Sequence, residues 1–165
     1  MRQAPAAFQR GHDHDQCVHD ALNAAIVHCR QEGTRLTPLR RKVLQAVWRS
    51  HVPLGAYEIC DALAARGERV LPPTIYRALE FLENNGLVHR MASRNAFIGC
   101  NQPGAHHHGR YLICSACGLV AELPAGDNMD RFIAEADALN FEARSVRVEA
   151  VGLCAACAAG GDSGP

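Results

Sequence analysis

Two short cysteine motifs limit what this chain can fold into more than any other feature of its sequence. Cys114-x2-Cys117 and Cys154-x2-Cys157 each offer two thiolates to one metal ion. Together they supply the four ligands of a closed tetrahedral site, which is typical of structural Zn2+. The alternative is a pair of thiol–disulfide redox switches. Because the motifs bracket a small predicted αβ segment, we favour zinc.

A second group of metal-binding residue types consists of His89, Cys100, the histidine run 106–108 and Glu122. These residues exceed the needs of one closed site. A thiolate with imidazoles favours Zn2+ over Fe2+ or Mn2+, which prefer harder ligands. The alternative is a solvated histidine, a small core cysteine and a polar loop. We expect a mixed second site, formed with one histidine of the run, that spans the predicted domain boundary.

The sequence contains no recognisable catalytic motif, so we predict that the protein is not an enzyme. A zinc-dependent hydrolase would need three ligands, an open position and a general base, for which Glu122 is the candidate. With eight cysteines, no apolar run near the ~18–20 residues of a membrane span and no signal-like N-terminus, we expect a cytoplasmic protein with reduced thiols.

The net charge of zero conceals an asymmetry along the chain. Residues 1–100 carry 13 Lys and Arg against 9 Asp and Glu, whereas residues 101–165 carry 4 against 8. A basic half beside a metal-rich half is what a metal-controlled nucleic-acid-binding protein requires. Chance scatter of charge is the alternative.

Hydrophobic periodicity predicts four helices in the first half of the chain. The first covers 16–32 and the second runs from Thr37-Pro38 to Arg49; the third covers 55–66 and the fourth about 74–84. The apolar residues of the first are Val18, Leu22, Ala25, Ile26 and Cys29, and those of the third are Tyr57, Ile59, Leu63 and Ala64. In the fourth helix Ile75, Leu79 and Leu82 are expected to face inward, and Tyr76, Arg77, Glu80 and Glu83 to face elsewhere. Two stretches, 87–93 and 95–100, then predict a hairpin. The last three helices and the hairpin have the order of a winged helix-turn-helix, whose final helix enters the DNA major groove.

The second half predicts a small αβ domain. Strands are expected at 111–114 and 119–123, a helix at 127–139 and a strand at 142–153. We therefore predict an α+β protein with a flexible tail (1–15), a winged-helix domain (16–100), a linker (101–109), a dimerisation and zinc domain (110–157) and a disordered tail (158–165).

Side chains on and around the fourth helix are candidates for DNA contacts. Tyr76 and Arg77, with Thr74 at the helix start, are expected to reach the bases or nearby phosphates, and further cations are expected to hold phosphates: Arg40, Arg41, Lys42, Arg69 and Arg94. Another cluster, His12, His14, Cys17 and His19, is interpreted as a weakly chelating tail, and Cys29 and Cys60 as small buried residues.

These residues resemble the ferric uptake regulator family of bacterial metal-responsive repressors, and within it the zinc uptake regulators. The matching segments cover about residues 20 to 157: 35–40 (RLTPLR), 56–59 (AYEI), 73–79 (PTIYRAL), 86–89 (GLVH), both cysteine motifs and 152–157 (GLCAAC). The resemblance implies a homodimer that represses zinc-uptake genes at palindromic DNA operators, with no small-molecule substrate and no membrane association.

The resemblance also implies two Zn2+ per chain. A structural zinc would lie on Cys114, Cys117, Cys154 and Cys157, and a regulatory zinc on His89, Cys100, His107 and Glu122, with His106 and His108 as alternatives to His107. Iron- and peroxide-sensing relatives carry a HHxHxxC run before the first motif and a later histidine. This chain has HHHxxxxxC and no histidine after position 108, which favours zinc. Sensing of iron or manganese is the alternative within the family.

Overall fold

A computed structural model describes residues 14–50, 52–101, 103, 109–123, 127–143 and 146–160. These residues form two compact units, 14–103 and 109–160. Helices α1 to α4 and a hairpin lie in the first unit, and the three-stranded sheet with helices α5 and α6 lies in the second. Among the described residues, no helix is long and apolar enough to cross a membrane.

The first unit begins with four helices: α1 (His14–Gln31), α2 (Pro38–Trp48), α3 (Ala56–Ala64) and α4 (Pro72–Asn84). The Thr37 hydroxyl accepts a hydrogen bond from the Arg40 backbone N–H, and Pro38 occupies the first helical position of α2, as the Thr-Pro pair predicted. The N-terminus of α3 is stabilised by the Glu58 carboxylate, which accepts the Gly55 N–H at 2.6 Å. Prolines also open α4.

One hydrophobic core joins these helices. Fully buried leucine, isoleucine and valine side chains from α2, α3 and α4 meet at its centre: Val43, Leu44, Val47, Ile59, Leu63, Ile75, Leu79 and Leu82. Helix α1 adds Val18, Leu22, Ala25 and Cys29 on the predicted face. Burial of each large side chain contributes about 1.5–3 kcal/mol, which fixes the helices as one body.

The hairpin consists of β1 (Val88–Met91) and β2 (Ala96–Gly99), with His89 paired to Ile98. Leu54 exchanges two backbone hydrogen bonds with Phe97, at 3.0 and 2.8 Å, and thereby forms an isolated bridge to the hairpin. Gly99 lies directly against the indole ring of Trp48, where any Cβ atom would overlap the ring. The hairpin is therefore packed closely against α2.

The second unit contains β3 (Gly109–Cys114), β4 (Val120–Leu123), α5 (Asp127–Asp137), β5 (Arg147–Gly152) and α6 (Ala155–Ala158). The sheet order is β4-β3-β5, antiparallel between β3 and β4 and parallel between β3 and β5. Tyr111, Ile113 and Val120 are buried, as is Met129 of α5. By contrast, nearly all of β5 is exposed.

The predicted fold class is confirmed, with local corrections. Helix α1 begins at His14, two residues inside the predicted tail, and α6 reaches Ala158 at the start of the other predicted tail. Tyr57, expected on the apolar face of α3, is 67% exposed, and Ala64 is also exposed. Strand β5 and helix α5 are shorter than predicted. Residues 1–13 and 161–165 lie outside the described part, and the predicted domain limits stay predictions.

Candidate functional site

The sheet of the second unit brings the two cysteine motifs together. Because β3 and β5 are parallel, their carboxyl ends lie at the same edge, with Cys114 paired to Gly152. The first motif turns immediately after β3, where Gly118 adopts φ +74° and donates its N–H to the Cys114 carbonyl at 3.0 Å. The second motif follows β5, and Cys154 is the N-cap residue of α6. Ser115 joins the motifs by donating both its N–H (2.8 Å) and its hydroxyl (3.1 Å) to the Gly152 carbonyl.

The four sulfur atoms form a compact cluster, which we call the cysteine cluster (Cys114, Cys117, Cys154 and Cys157). All four lie within 4.8 Å of one another, and Cys117 Sγ is 3.9 Å from Cys154 Sγ. Zn–S bonds of about 2.3 Å in a tetrahedron require S···S edges of about 3.8 Å. The cluster therefore fits a zinc ion with little adjustment. Cys114 and Cys117 are buried, and the other two are half-buried.

Backbone donors favour the thiolate form of one ligand in this cluster. The N–H groups of Cys117 and Cys154 point at the Cys114 sulfur, the latter at 3.4 Å, and they lower the pKa of Cys114 to about 6. The Cys157 thiol donates to Cys154, and this hydrogen bond, with burial, raises the pKa of Cys157 to about 12 when no cation is bound. A cation at the centre would therefore displace the Cys157 proton, whereas the backbone donors already favour the thiolate form of Cys114.

The second predicted ligand group is distributed over both units. His89 is half-buried on β1, and Cys100 is 1% exposed directly after β2. The Cys100 N–H donates to the Leu87 carbonyl at 3.0 Å, which extends the hairpin register by one pair and puts Cys100 opposite Leu87. Side chains two residues apart share a face, so His89 and Cys100 are diagonal neighbours on one face of the hairpin. Glu122 is half-buried on β4 of the second unit.

The other member of this group, His107, lies outside the described residues together with His106 and His108. His12 also lies outside them, and the side chain of His14 is not described. In the remainder of the tail cluster, Cys17 is half-buried, and His19 is exposed on α1, 3.7 Å from the Asp20 carboxylate. Among the described residues, the cysteine cluster is the only group of three or more Cys, His, Asp or Glu side chains placed to hold a metal.

Helix α4 presents a polar face away from the core. Ile75, Ala78, Leu79 and Leu82 are buried, whereas Tyr76 is 44% exposed and Arg77 and Thr74 are also exposed. This is the division that the helical periodicity predicted. Arg69, before α4, and Arg94, at the hairpin turn, are exposed as well. The face offers aromatic, hydroxyl and guanidinium groups of the kinds that read base edges and phosphates.

Two of the predicted phosphate-binding cations make contacts within the unit. The Arg40 guanidinium lies 3.5 Å from the centroid of the Phe81 ring and donates to the Arg35 carbonyl at 2.8 Å. Lys42 forms an ion pair of 2.7 Å with Glu68. Sequence reasoning missed both pairings because their partners are more than 20 residues away and follow no periodic signal.

Comparison with known proteins gives the chain a family. Residues 31–151 match the model of the ferric uptake regulator family. The chain is 38% identical over 143 residues to the zinc uptake regulation protein of Escherichia coli (strain K12), covering 85% of this chain and 82% of that protein. It is 28% identical over 149 residues to the peroxide-responsive repressor PerR of Staphylococcus aureus (strain USA300), covering 86% and 95%.

Solved structures agree with the sequence relatives. The crystal structure of holo XcZur is similar with a TM-score of 0.77 and 40% identity, covering 85% of this chain and 98% of that one. A zinc uptake regulator complexed with zinc and DNA is similar with a TM-score of 0.80 and 35% identity, covering 86% and 95%. With a matching family model over most of its length and the same fold as these regulators, the chain belongs to the ferric uptake regulator family.

Proposed function

We propose that this protein is a zinc-responsive, dimeric transcriptional repressor that binds palindromic operators of zinc-uptake genes. The observation that carries the proposal is the likeness, over 86% of the chain, to a zinc uptake regulator complexed with zinc and DNA. The cysteine cluster and the polar face of α4 supply matching chemistry within this chain. Its role is regulatory, in the cytoplasm, and involves no substrate turnover.

The cysteine cluster would hold a structural Zn2+. Four thiolates close the coordination sphere and leave no position for a water or substrate, so this ion stabilises the fold and takes no part in sensing. The S···S distance of 3.9 Å between the two motifs and the N–H donors to Cys114 support this assignment.

A second Zn2+ would be the regulatory ion, bound by His89, Cys100, His107 and Glu122. The common face of His89 and Cys100 on the hairpin supports the choice of these two ligands. A site that takes ligands from both units would make their relative orientation depend on zinc. In the zinc-bound dimer, the two α4 helices would then be held for half-sites about one DNA turn apart. Without zinc, that arrangement would be one of many. The apparent operator affinity would then be lowered in proportion to the fraction of molecules that adopt the DNA-binding arrangement.

DNA contacts are proposed for the exposed face of α4 and its surroundings. Tyr76 and Arg77 would contact bases and the flanking phosphates from the major groove, and Thr74 would contact the backbone near the helix start. Arg69 and the hairpin residue Arg94 would bind phosphates. The excess of cations in residues 1–100 supports an electrostatic contribution to this binding.

The homodimer is supported by the apolar surface of the second unit. Its exposed large side chains are 50–81% accessible in the single chain: Phe132, Leu139, Phe141, Val148, Val151 and Leu153. Strand β5 is moreover at the edge of the sheet. An exposed apolar edge strand invites pairing, and a second copy of this surface would cover it.

Replacement of Cys100 tests the regulatory site. We expect Cys100→Ser to remain a folded dimer with its structural zinc, but to lose zinc-dependent operator binding because the regulatory ion loses its thiolate. Operator affinity would be measured by fluorescence anisotropy with and without added Zn2+, with size-exclusion chromatography and zinc content in parallel. Cys60→Ser, which changes a half-buried cysteine of α3, is the matched control. A Cys100→Ser protein that still responds to zinc, or that is no longer a dimer, would contradict this role.

A further inference from the structure

We propose that Arg40 is a positioning residue for the DNA-reading helix, acting through Phe81 in a clamp that ties the start of α2 to the end of α4. The inference rests on the proposed DNA-binding function of α4. It assigns to Arg40 a role different from the phosphate contact that its charge predicted.

The first contact of the clamp is the stacking of Arg40 on Phe81. The guanidinium carbon lies 3.5 Å from the ring centroid, well inside the range of a cation–π interaction. The same guanidinium donates to the Arg35 carbonyl at 2.8 Å. Arg40 is thus held at both ends, since its backbone N–H also donates to the Thr37 hydroxyl. A guanidinium held by the Phe81 ring and the Arg35 carbonyl has fewer donors left for a phosphate.

A second contact joins the segment just before α2 to the end of α4. The Thr34 hydroxyl donates to the Asn85 side-chain oxygen at 3.0 Å, and the Asn85 amide donates to the Phe81 carbonyl at 2.8 Å. Thr34 precedes α2, and Asn85 is the C-cap residue of α4. Residues 34–40, which lead into the first turn of α2, therefore contact the last turn of α4 at both the Phe81 ring and the Asn85 cap.

The position of Phe81 on α4 connects the clamp with the proposed DNA-binding surface. Phe81 follows Arg77 by four residues, so the two side chains are neighbours on the surface of α4. The ring is half-buried and packs against the hydrophobic core at the edge of the buried face of α4. The clamp thus holds the helix turn immediately next to Arg77 and limits rotation of α4 about its axis.

Operator binding of the zinc-loaded full-length protein tests the clamp. We expect Arg40→Gln and Phe81→Leu each to raise the operator Kd about two- to fivefold, since the loss is bounded by the strength of one partly exposed cation–π contact. The double variant should bind the operator no more weakly than the weaker-binding single variant, because both substitutions remove the same Arg40–Phe81 contact. The slope of log affinity against log salt should stay at the parental value in Arg40→Gln, because the positioning role involves no phosphate contact.

The alternative role of Arg40, a direct phosphate contact, predicts different results in each measurement. A phosphate contact by Arg40 predicts a salt slope lower by about 0.9 in Arg40→Gln alone, unchanged affinity in Phe81→Leu and additive effects. That outcome would overturn the positioning role. Trp48 fluorescence during thermal unfolding would verify that the variants are folded.

Hydrogen exchange of the DNA-free, zinc-loaded dimer separates the clamp from the proposed function. Backbone amides 81–85 should exchange faster in both single variants than in the parent and in Arg41→Gln, which removes the exposed cation next to Arg40 but no contact of the clamp. Unchanged exchange would overturn the clamp even if the protein binds DNA. A parent protein that binds no operator with zinc, but whose variants show faster exchange, would refute the proposed function and retain the clamp.

Discussion

Replacing Cys114 with serine should weaken zinc binding at the cysteine cluster and unfold the second unit while the first unit stays folded. Cys114 is 1% exposed, ends the central strand β3 and accepts backbone N–H groups from both motifs. A serine hydroxyl at this position is a poor ligand for Zn2+ compared with a thiolate. No other cysteine of the described residues lies in the cluster to take its place.

The size of the effect follows from the geometry of the cysteine cluster. Four-ligand structural sites bind Zn2+ with an apparent free energy of about 10–16 kcal/mol at pH 7. With four sulfurs at similar separations, one ligand accounts for about 3–4 kcal/mol, so zinc binding should weaken about 100- to 1000-fold. Among the described residues of the second unit, few large side chains are fully buried, chiefly Tyr111 and Ile113. Because small domains of this kind depend on a metal for stability, the loss should melt the unit.

Two probes report on the two units separately. Trp48 is the single tryptophan and lies in α2, so its fluorescence follows the first unit. Hydrogen exchange of residues 109–123 and 147–152 follows the sheet of the second unit. We expect the Trp48 unfolding transition to be unchanged, the sheet amides to lose protection, and competition with a chelating dye to show the weaker zinc binding.

Cys60→Ser is the control for this experiment, since it changes a cysteine outside the cluster and should retain parental zinc affinity and protection. If Cys114→Ser also retained both, the cluster would not be the structural zinc site. If the Trp48 transition fell together with the sheet, the two units would not have independent stability.

Three further substitutions test other parts of the account. Arg77→Ala should weaken operator binding by about 1 kcal/mol or more, the scale of a lost specific contact, without changing thermal unfolding; retained affinity would exclude Arg77 as a DNA contact. Gly99→Ala should destabilise the first unit by about 1–3 kcal/mol, because the added methyl group overlaps the Trp48 ring; urea unfolding followed by Trp48 fluorescence would measure this, and an unshifted midpoint would show that the ring moves freely. Val151→Lys changes a side chain that is 60% exposed in the single chain, so it should preserve the fold but convert the dimer to monomer in analytical ultracentrifugation. An intact Val151→Lys dimer would locate the interface elsewhere.

Local signals were sufficient to predict the helices of the first unit. The Thr-Pro pair at 37–38 marked the start of α2, and the spacing of Ile75, Leu79 and Leu82 set the buried face of α4. These features depend on residues within one or two helical turns, where sterics and burial act directly. The cysteine spacing likewise predicted a cluster, since two residues between ligands suffice to form a turn around one ion.

Contacts between distant residues were not predictable in the same way. The parallel pairing of β3 with β5 spans more than 30 residues, and alternation of side chains contains no information on which strand is the neighbour. The stacking of Arg40 on Phe81 could not be predicted for the same reason, since the two residues lie far apart along the chain. Tyr57 was misassigned to the apolar face because one aromatic residue at the start of a short helix fits more than one helical phase.

The most direct test of the central claim is operator binding as a function of zinc occupancy. Fluorescence anisotropy would be recorded with palindromic duplexes from promoters of zinc-uptake genes, at a fixed, stated salt concentration. Zn2+, Fe2+ and Mn2+ would be titrated separately, with total zinc per chain measured on the same samples. The account predicts tight binding only when zinc exceeds about one ion per chain, as a structural and a regulatory site together require. An operator affinity that does not rise when zinc exceeds one ion per chain, or that rises more with Fe2+ or Mn2+ than with Zn2+, would contradict the account.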